Sequence, residues 1–349
     1  MTSLTQVAII TRKIIRYGVF FILFLLVGRI LLLGAISIYR KLFPAPPPAP
    51  TVAYGKLPKL PFPSKTNPQG ISYTLETTEG DLPKLPNQAK VFFMLKPSPN
   101  LLSLSTAQNK AQGLKFNFNG EQISQTTYRF PNQYSPSTLE INIISGVFSI
   151  SYDLKTDPSP LDNRPPVPEV AASQVRSYLS SANLLPSDLT GPTEHEFLKL
   201  AGGQFVPVTS LSESNLVKIN LFRKTYDNLS SLTPDPESAN VWFMVSGSTD
   251  RGKQEVAGEF HYFAVDESQF STYPIKTPDA AWKEFSSGGG YIASAGTNKD
   301  NAGVKIRKVY LAYYDSDVST DFYQPIFVFE GDNGFIGYLP AVTADYYGE

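Results

Sequence analysis

The sequence predicts an α+β protein: an N-terminal transmembrane helix, a proline-rich linker, and then two lobes of short helices packed on antiparallel sheets. Three observations support this class. Residues 17–39 of the 349-residue chain are almost wholly apolar. Nine prolines follow within residues 44–68. Beyond them, short amphipathic segments alternate with strand-like runs, a pattern typical of helices that cover antiparallel sheets.

The apolar segment from Tyr17 to Tyr39 is long enough to cross a membrane. Its 23 residues would span about 35 Å as a helix, against a hydrocarbon core of about 30 Å. Arg29 opposes insertion by about 2.5 to 3.5 kcal/mol, whereas the fifteen Val, Ile, Leu and Phe residues favour it by roughly 4.5 to 9 kcal/mol. Arg29 therefore either extends toward one interface or contacts another transmembrane helix.

We interpret this segment as an uncleaved signal anchor. It is longer than the apolar region of a cleaved signal peptide, about 7 to 15 residues, and Leu-Gly-Ala at 33–35 is a poor cleavage site. Three basic residues between positions 12 and 16 precede the span, and two at 40 and 41 follow it. This distribution favours a cytoplasmic tail at residues 1–16. We therefore expect a single-pass protein of the cell membrane with an extracytoplasmic C-terminal domain.

Composition excludes several classes of function. The absence of cysteine excludes disulfides, thiolate metal sites and a cysteine nucleophile. The first 43 residues contain six basic and no acidic side chains, so the remainder, with 24 basic and 31 acidic residues, is mildly acidic. Such a surface argues against nucleic-acid binding. The expected partners are the membrane, through residues 17–39, and another membrane or envelope protein; a glycan is possible.

Prolines set the predicted domain limits. Residues 40–69 form the linker: Pro44–Pro50 is a polyproline spacer, whereas Tyr54–Phe62 carries Tyr, Leu and Phe and is predicted to dock in extended form along the folded domain. A second proline-rich break, at residues 157–168, separates a first lobe, residues 70–160, from a second lobe, residues 165–349.

Helices are predicted where capping residues precede amphipathic runs. Ser103 or Ser105 begins one that stops at Gly113. A stronger one has apolar residues at 171, 175, 178, 179 and 182 on a single face. A third opens at Thr277-Pro278 and stops at the glycines 288–290. Strands are predicted at residues 128–130, 139–144, 147–152, 215–226, 241–245, 256–265, 304–314 and 323–330.

The chain contains no motif that specifies catalysis, a cofactor or a metal. Gly247–Lys253 imitates a phosphate-binding loop, but the flanking strands and Gln254 after the lysine favour a hairpin turn. Asp315, Asp317 and Asp321 are interpreted as a polar loop between strands, without the spacing of an EF-hand. No serine elbow accompanies the two histidines, so we expect no enzyme, although paired carboxylates acting on sugars remain open.

Aromatic residues supply the candidate interaction surface. Tyr310, Tyr313 and Tyr314 on one predicted strand, with Tyr323 and Phe327 on the next, would form a stacking platform for a glycan or a peptide. Trp282, in the third predicted helix, is a further candidate. The alternative is that these side chains fill the sheet core and its rims. In the predicted strand at residues 256–265 and just before it, Glu255, Glu259 and His261 alternate with apolar residues. This alternation predicts a sheet with one face exposed to water.

Two parts of the second lobe resemble PepSY-like domains. The first comprises residues 260–266, the run YPIKTPDAAWKEF at 273–285, and Gly-Gly-Gly-Tyr-Ile at 288–292. The second joins Val309–Tyr314 to Gln324–Gly331, where a proline precedes the last aromatic strand. Over residues 165–345 the chain is similar to membrane-anchored ectodomains that regulate a cell-wall sensor kinase in Gram-positive bacteria. The resemblance implies an outward-facing α+β domain, no cofactor, no catalytic residues, and contact with another membrane or secreted protein.

We therefore expect a bacterial single-pass membrane protein with a non-catalytic interaction or regulatory ectodomain. The alternative is a cell-envelope glycan-binding module. Several coplanar exposed Tyr or Trp rings in a groove would favour the glycan, whereas an apolar patch or a free sheet edge would favour a protein. A deep pocket with convergent carboxylates and perturbed ionisation would favour an enzyme. In the third helix we expect Ala281 and Phe285 to be buried and Trp282 to lie at the helix edge.

Overall fold

A computed structural model of the protein describes residues 4–42 and 48–348. It contains two units, Met1–Ala49 and Pro50–Glu349. Part of the predicted polyproline spacer, residues 44–47, and the first residues of the predicted cytoplasmic tail lie outside the described residues.

The first unit is one helix, α1 (Leu4–Leu42). Its stretch Ile9–Tyr39 is, within the described part of the chain, the one helix long and apolar enough to cross a membrane. None of that stretch is buried against other protein, so its apolar side chains are free to contact lipid. Length and composition thus support a single-pass membrane protein, and the predicted span lies inside this stretch.

The second unit is a mixed α+β structure. Its α-helices in the described residues are α2 (Ser103–Gly113), α3 (Pro168–Ser181) and α4 (Pro278–Glu284). Its strands are β1 (Ser72–Leu75), β2 (Gln88–Met94), β3 (Glu121–Gln122), β4 (Thr127–Pro131), β5 (Ser137–Asn142), β6 (Phe148–Tyr152), β7 (Thr193–Ala201), β8 (Gln204–Val208), β9 (Leu216–Leu221), β10 (Ser231–Leu232), β11 (Val241–Val245), β12 (Glu255–Phe260), β13 (Val265–Pro274), β14 (Tyr291–Ser294), β15 (Gly303–Tyr314), β16 (Phe322–Tyr323), β17 (Pro325–Gly331) and β18 (Ile336–Pro340).

These strands form three sheets. The largest has nine antiparallel strands in the order β3-β4-β5-β6-β12-β11-β9-β7-β8. A six-stranded sheet has the order β1-β15-β17-β18-β14, with β10 also paired to β15; β1 and β10 pair parallel to β15. A small sheet has the order β13-β2-β16. The predicted α+β class with several antiparallel sheets is confirmed.

Helices α2 and α3 cover one face of the nine-stranded sheet. Ala107 and Ala111 of α2, and Val175 and Leu179 of α3, are buried against its strands. Both helices lie where the apolar spacing predicted them, because this signal is local to each segment. The expected cap of α2 is wrong: its N-cap residue is Leu102, and neither Ser103 nor Ser105 caps the helix. The Tyr178 hydroxyl donates a hydrogen bond of 3.0 Å to the carbonyl of Leu114, which ties α3 to the end of α2.

Helix α4 packs on the six-stranded sheet. Thr277 caps it by accepting a hydrogen bond of 3.2 Å from the Ala280 N–H. Ala281 and Phe285 are buried, whereas Trp282 is half-buried and packs at the edge of the same cluster. The predicted orientation of this helix is therefore confirmed.

Residues Thr51–Phe62, here called the strap, lie along the folded domain. The Val52 N–H donates to the Thr272 carbonyl at 3.0 Å, and the Leu57 N–H donates to the Tyr346 carbonyl at 2.9 Å. Leu57 and Leu60 are buried. The predicted docking of this part of the linker is confirmed.

The proline-rich break at residues 157–168 does not separate two sheets. Strand β6 lies before it and β12 after it, yet the two pair with Phe148 opposite Phe260, and these rings stack at 4.8 Å. Strand β1 likewise pairs with β15, with Ser72 opposite Gly303. The predicted limits of the two lobes are thus crossed by strand pairing. The prolines interrupt hydrogen bonding locally, but long-range partners rebuild the sheet on both sides.

Two predicted strands end earlier than expected. The strand expected at residues 215–226 ends at Leu221. The strand expected at residues 256–265 ends at Phe260, and β13 begins at Val265 in a different sheet. The hairpin β7–β8 was not predicted at all. Its turn is Gly202-Gly203, with φ of 59° and 81°, the left-handed region that glycine adopts without strain.

Arg223 forms a buried ion-pair network that the sequence did not reveal. Its guanidinium donates to Asp188 at 2.6 Å, to Asp315 at 2.9 Å and to the Phe263 carbonyl at 2.6 Å. The Tyr262 hydroxyl also donates to Asp188, at 2.9 Å. The predicted loop between strands is confirmed, since Asp315 lies between β15 and β16. Its carboxylate is nevertheless buried, against a charge contributed from 92 residues away.

Candidate functional site

The predicted aromatic platform lies largely inside the protein. Tyr313 and Tyr323 are buried and stack at 5.1 Å with an angle of 10° between the rings. Tyr314 is buried in another cluster, where Phe62 of the strap meets it edge-on at 4.8 Å. These three tyrosines therefore cannot form an interaction surface. The alternative, that these side chains fill the core, is correct for them: the C-terminal part of β15 is covered on both faces, and Tyr323 of β16 is buried in the same cluster as Tyr313.

The other two predicted residues lie apart. Tyr310 is half-buried and its hydroxyl donates to Glu330 at 2.5 Å. Trp282 packs 6.1 Å from Phe329, in a different hydrophobic cluster from Tyr310. The five candidates are thus divided among several clusters and do not form one site.

Exposed aromatic rings are few in the described part of the second unit. Phe118, Tyr134 and Phe270 are 45%, 49% and 47% exposed. Arg251 lies over the Tyr134 ring at 4.2 Å, and Lys90 lies over Phe270 at 4.9 Å. Cations therefore cover one face of two of these three exposed rings, which reduces the aromatic surface that a sugar could stack on in this part of the chain.

The edges of the nine-stranded sheet are poor sites for strand addition. Strand β3 has only two residues. In β8, Pro207 lies opposite Leu198, and counting pairs from the Gly202-Gly203 turn places its backbone nitrogen on the outer edge. Proline has no N–H, so β8 lacks a donor where an added strand would need one.

A polar cleft lies between α3, the end of α2 and the start of β12. Two adjoining hollows of about 340 and 610 Å³ share Lys115, Tyr178, Gln254 and Glu255. Ser173 and Ser177 of α3 line one of them, whereas Asn132, Thr249 and Arg251 line the other. Because they share these residues, the hollows form one elongated cleft, whose size is typical of ligand sites.

A β-bulge places Glu255 in this cleft. Met244 pairs with Ala257, but Val245 pairs with Glu255, so Val256 is an extra residue in β12. Val245 belongs to the core under α2 and α3, and its partner Glu255 turns toward the same side. The expectation that Glu255 shares the wet face with Glu259 and His261 was therefore wrong, because the bulge shifts the alternation by one residue.

Burial raises the pKa of the Glu255 carboxyl, and the nearby charge of Lys115 opposes part of that rise. Among the described residues, this carboxylate has no hydrogen-bond donor other than its own backbone N–H. Burial also raises the pKa of Tyr178 well above its usual range, and Glu255 adds to that rise. The cleft thus holds a carboxylate that the protein itself solvates poorly.

Lys115 occupies a backbone conformation that disfavours it. Its φ is 67°, in the left-handed region where helices usually end on glycine. The Asn132 side chain donates to the Lys115 carbonyl at 3.3 Å and supports this conformation. The Lys115 side chain itself is exposed, and its charge lies near the carboxylate of Glu255.

Several side chains of the cleft make no hydrogen bond within the described part of the protein. Lys115, Gln254 and Glu255 make no side-chain hydrogen bond or ion pair with another described residue, and Arg251 contacts Tyr134 only through its ring. The predicted hairpin turn at Gly247–Lys253 is confirmed between β11 and β12. The sequence did not indicate that residues of this turn line the cleft, because that position depends on the β-bulge in β12.

We expect Glu255→Gln to stabilise residues 50–349 at neutral pH. Folding raises the pKa of Glu255, so the folded state binds this proton more tightly than the unfolded state, and stability falls as pH rises above the unfolded value of about 4.3. Urea unfolding at pH 7 should show a gain of about 0.5 to 2 kcal/mol. The gain should vanish near pH 3.5, where both states are protonated.

Glu194→Gln is the matched control, since Glu194 is exposed on β7. It should change stability by less than about 0.5 kcal/mol at either pH. A loss of stability in Glu255→Gln at pH 7 would mean that the carboxylate has a stabilising partner.

Comparisons with known proteins show limited similarity. No family model matches the chain, and no curated protein matches it. The crystal structure of an uncharacterized protein from Eubacterium rectale aligns with a TM-score of 0.42 and 11% identity, over 80% of this chain and 90% of that one. The C-terminal domain of Bacillus megaterium YpeB aligns with a TM-score of 0.32 and 11% identity, over 71% and 95%. TM-scores below 0.5 do not identify a function.

Proposed function

We propose that this chain is a single-pass membrane protein whose extracytoplasmic domain binds a segment of another envelope protein in the cleft beside Glu255, without catalysis. The observation that carries this proposal is one elongated cleft in which Lys115, Gln254 and Glu255 have no hydrogen-bond partner in another described residue. Arg251, whose guanidinium lies over the Tyr134 ring, and the exposed Glu169 line the same cleft. The resemblance of residues 165–345 to PepSY-like regulatory ectodomains supports a regulatory role.

The mixture of groups favours a polypeptide. Lys115 and Arg251 suit the carboxylates of a partner, Glu255 suits a basic side chain, and Gln254 is able both to donate to and accept from a backbone amide. Two adjoining hollows suit an extended segment better than a compact ligand. Glu255 also makes binding specific. A ligand without a basic group would remove more water from this carboxylate and give it no counter-charge, so such a ligand would bind less tightly.

A binding role without chemistry agrees with the hydroxyl groups in the cleft. Tyr178 donates to the Leu114 carbonyl, and Ser137 donates to the Ser151 carbonyl at 3.4 Å. Neither hydroxyl has a neighbouring histidine or lysine as base among its described partners. In the described residues, no cluster of three or more His, Asp or Glu side chains is able to hold a metal ion.

The second candidate is a glycan of the cell envelope. The neutral amides and hydroxyls of Asn132, Ser137 and Gln254 in the same cleft favour it, since such groups bind sugar hydroxyls. The position of the Arg251 guanidinium over the Tyr134 ring counts against a glycan, because sugars stack on free aromatic faces.

A single-cysteine experiment tests the proposal, since the chain has no cysteine of its own. Ser173→Cys places a thiol at the cleft, and Ser286→Cys places one at the end of α4. In intact cells, both should react with a membrane-impermeant maleimide that carries a photocrosslinker. Illumination should join Ser173→Cys, but not Ser286→Cys, to one defined protein.

That adduct should disappear when Arg251→Gln and Glu255→Gln are introduced into the Ser173→Cys variant. The amount of this variant in the cells should stay the same. Labelling only after the membrane is broken would reverse the topology. An adduct that persists in the double variant would overturn the cleft as the binding site. An adduct removed by glycan hydrolysis but not by protease would favour the glycan instead.

A further inference from the structure

Lys110 lines a second hollow, separate from the cleft, between the last turn of α2, the β5–β6 turn and the loop after α3. The hollow has a volume of about 460 Å³, and its polar lining includes Lys110, Ser145, Asn183, Ser187 and Tyr262. No carboxylate side chain lies among its lining residues. Asp188, next in the chain to Ser187, is directed instead into the buried pair with Arg223. The hollow is therefore positively charged.

The ammonium of Lys110 has no hydrogen-bond or ion-pair partner among the described residues. Burial lowers the pKa of Lys110, and no hydrogen bond or ion pair to another described residue compensates for the lost water. Gly146 makes room for it: a side-chain carbon at this glycine would lie 2.7 Å from the Lys110 Nζ. Gly146 also has a φ of 73°, which favours glycine. The β5–β6 turn thus lies close to the Lys110 ammonium group.

Neutral donors surround this charge. The Ser145 hydroxyl accepts a hydrogen bond of 3.3 Å from the Val147 N–H, so its own proton is free to be donated outward. The side chains of Asn183 and Ser187 are exposed and make no hydrogen bond to described residues. The phenolic proton of Tyr262 is already donated to Asp188. One cation and three free neutral donors match the needs of an oxyanion.

We propose that this hollow binds the oxyanion group, phosphate or carboxylate, of a small polar ligand, with the Lys110 ammonium as its counter-charge. The hollow exceeds the size of a bare anion and suits a ligand of which the oxyanion is one end. A bound oxyanion would give the Lys110 ammonium an ion-pair partner, which it lacks among the described residues. The proposal is independent of the cleft beside Glu255, with which the hollow shares no residue.

The test measures binding of inorganic phosphate and of acetate to the full chain in a neutral detergent, by equilibrium dialysis with labelled anions. We expect saturable binding of at least one of them at one site per chain. Lys110→Met should weaken it about tenfold or more, as expected for a lost charge-assisted hydrogen bond, and Ser187→Ala should weaken it less. The preferred anion distinguishes a phosphate ligand from a carboxylate ligand.

Lys283→Met is the matched control, because Lys283 occupies the last turn of α4 and is exposed; it should leave binding unchanged. Lys110→Arg keeps the charge and should retain most of the affinity, which separates loss of the site from loss of the fold. Unchanged circular dichroism of Lys110→Met is required as well. Equal affinity in Lys110→Met, or the absence of saturable binding to the native chain, would overturn the proposal.

Discussion

Replacing Arg223 with methionine is expected to lower the free energy of unfolding of residues 50–349 by about 3 to 5 kcal/mol, the cost of breaking a buried ion pair. The guanidinium holds Asp188 at 2.6 Å and Asp315 at 2.9 Å, and methionine would leave both carboxylates buried without a counter-charge. Urea unfolding followed by circular dichroism measures the effect.

The loss in Arg223→Met should shrink as the pH falls. Burial raises the pKa of Asp315, and Arg223 opposes that rise, so the variant should have a still higher folded pKa. Its stability should then increase as pH decreases toward the unfolded value of about 3.9. Arg129→Met is the matched control, because Arg129 pairs with Glu140 at the surface; it should cost about 0 to 1 kcal/mol. A similar cost for both variants would refute the buried network.

Truncating Phe285 to alanine is expected to cost about 3 to 5 kcal/mol. The ring is only 2% exposed and stacks on Phe329 at 4.2 Å. Side-chain carbons at Gly290 and Gly337 would lie within 2.3 Å of the Phe285 ring, so the backbone at the start of β14 and strand β18 approach it closely. Alanine would leave a cavity that these strands cannot fill without moving.

Trp282→Ala is the comparison, with an expected cost of about 1 to 2 kcal/mol, because its half-buried indole loses less apolar contact. Chemical denaturation of both variants measures the difference. Equal stability of Phe285→Ala and the native domain would contradict the packing of α4. A pull-down on cell-wall material adds a second readout: lost retention of a stable Trp282→Ala would favour the glycan-binding alternative.

The parts of the fold that were predictable depend on nearby residues. Thr277 caps α4 three residues ahead of its partner, and the apolar face of α3 repeats within 14 residues. The strap was predictable as well, because Leu57, Leu60 and Phe62 interrupt its prolines with side chains that a spacer does not need. In each of these segments the signal and the structure lie in the same stretch of sequence.

The remaining features depend on distant residues. The burial of Asp315 requires Arg223, and the burial of Tyr314 requires the strap, 253 residues earlier in the chain. Tyrosine suits both cores and surfaces, so its pattern along β15 did not distinguish the two. The position of Glu255 depends on one extra residue, Val256, relative to β11. Such a bulge reverses the faces of a strand without any change in its own sequence pattern.

The strap gives the domain a defined order of response to mechanical force. Tension from the N-terminal side would act first on Thr51, whose hydroxyl bonds Ser271 at 2.8 Å near the surface. Peeling would reach the buried Leu57 only later, and then Phe62, which stacks on Tyr291 at 4.7 Å. The first bonds to break under load would thus be the polar ones between Thr51 and β13. A sustained pull would uncover Tyr291 and Tyr314, so that stretching of the tether becomes a change in the surface chemistry of the domain.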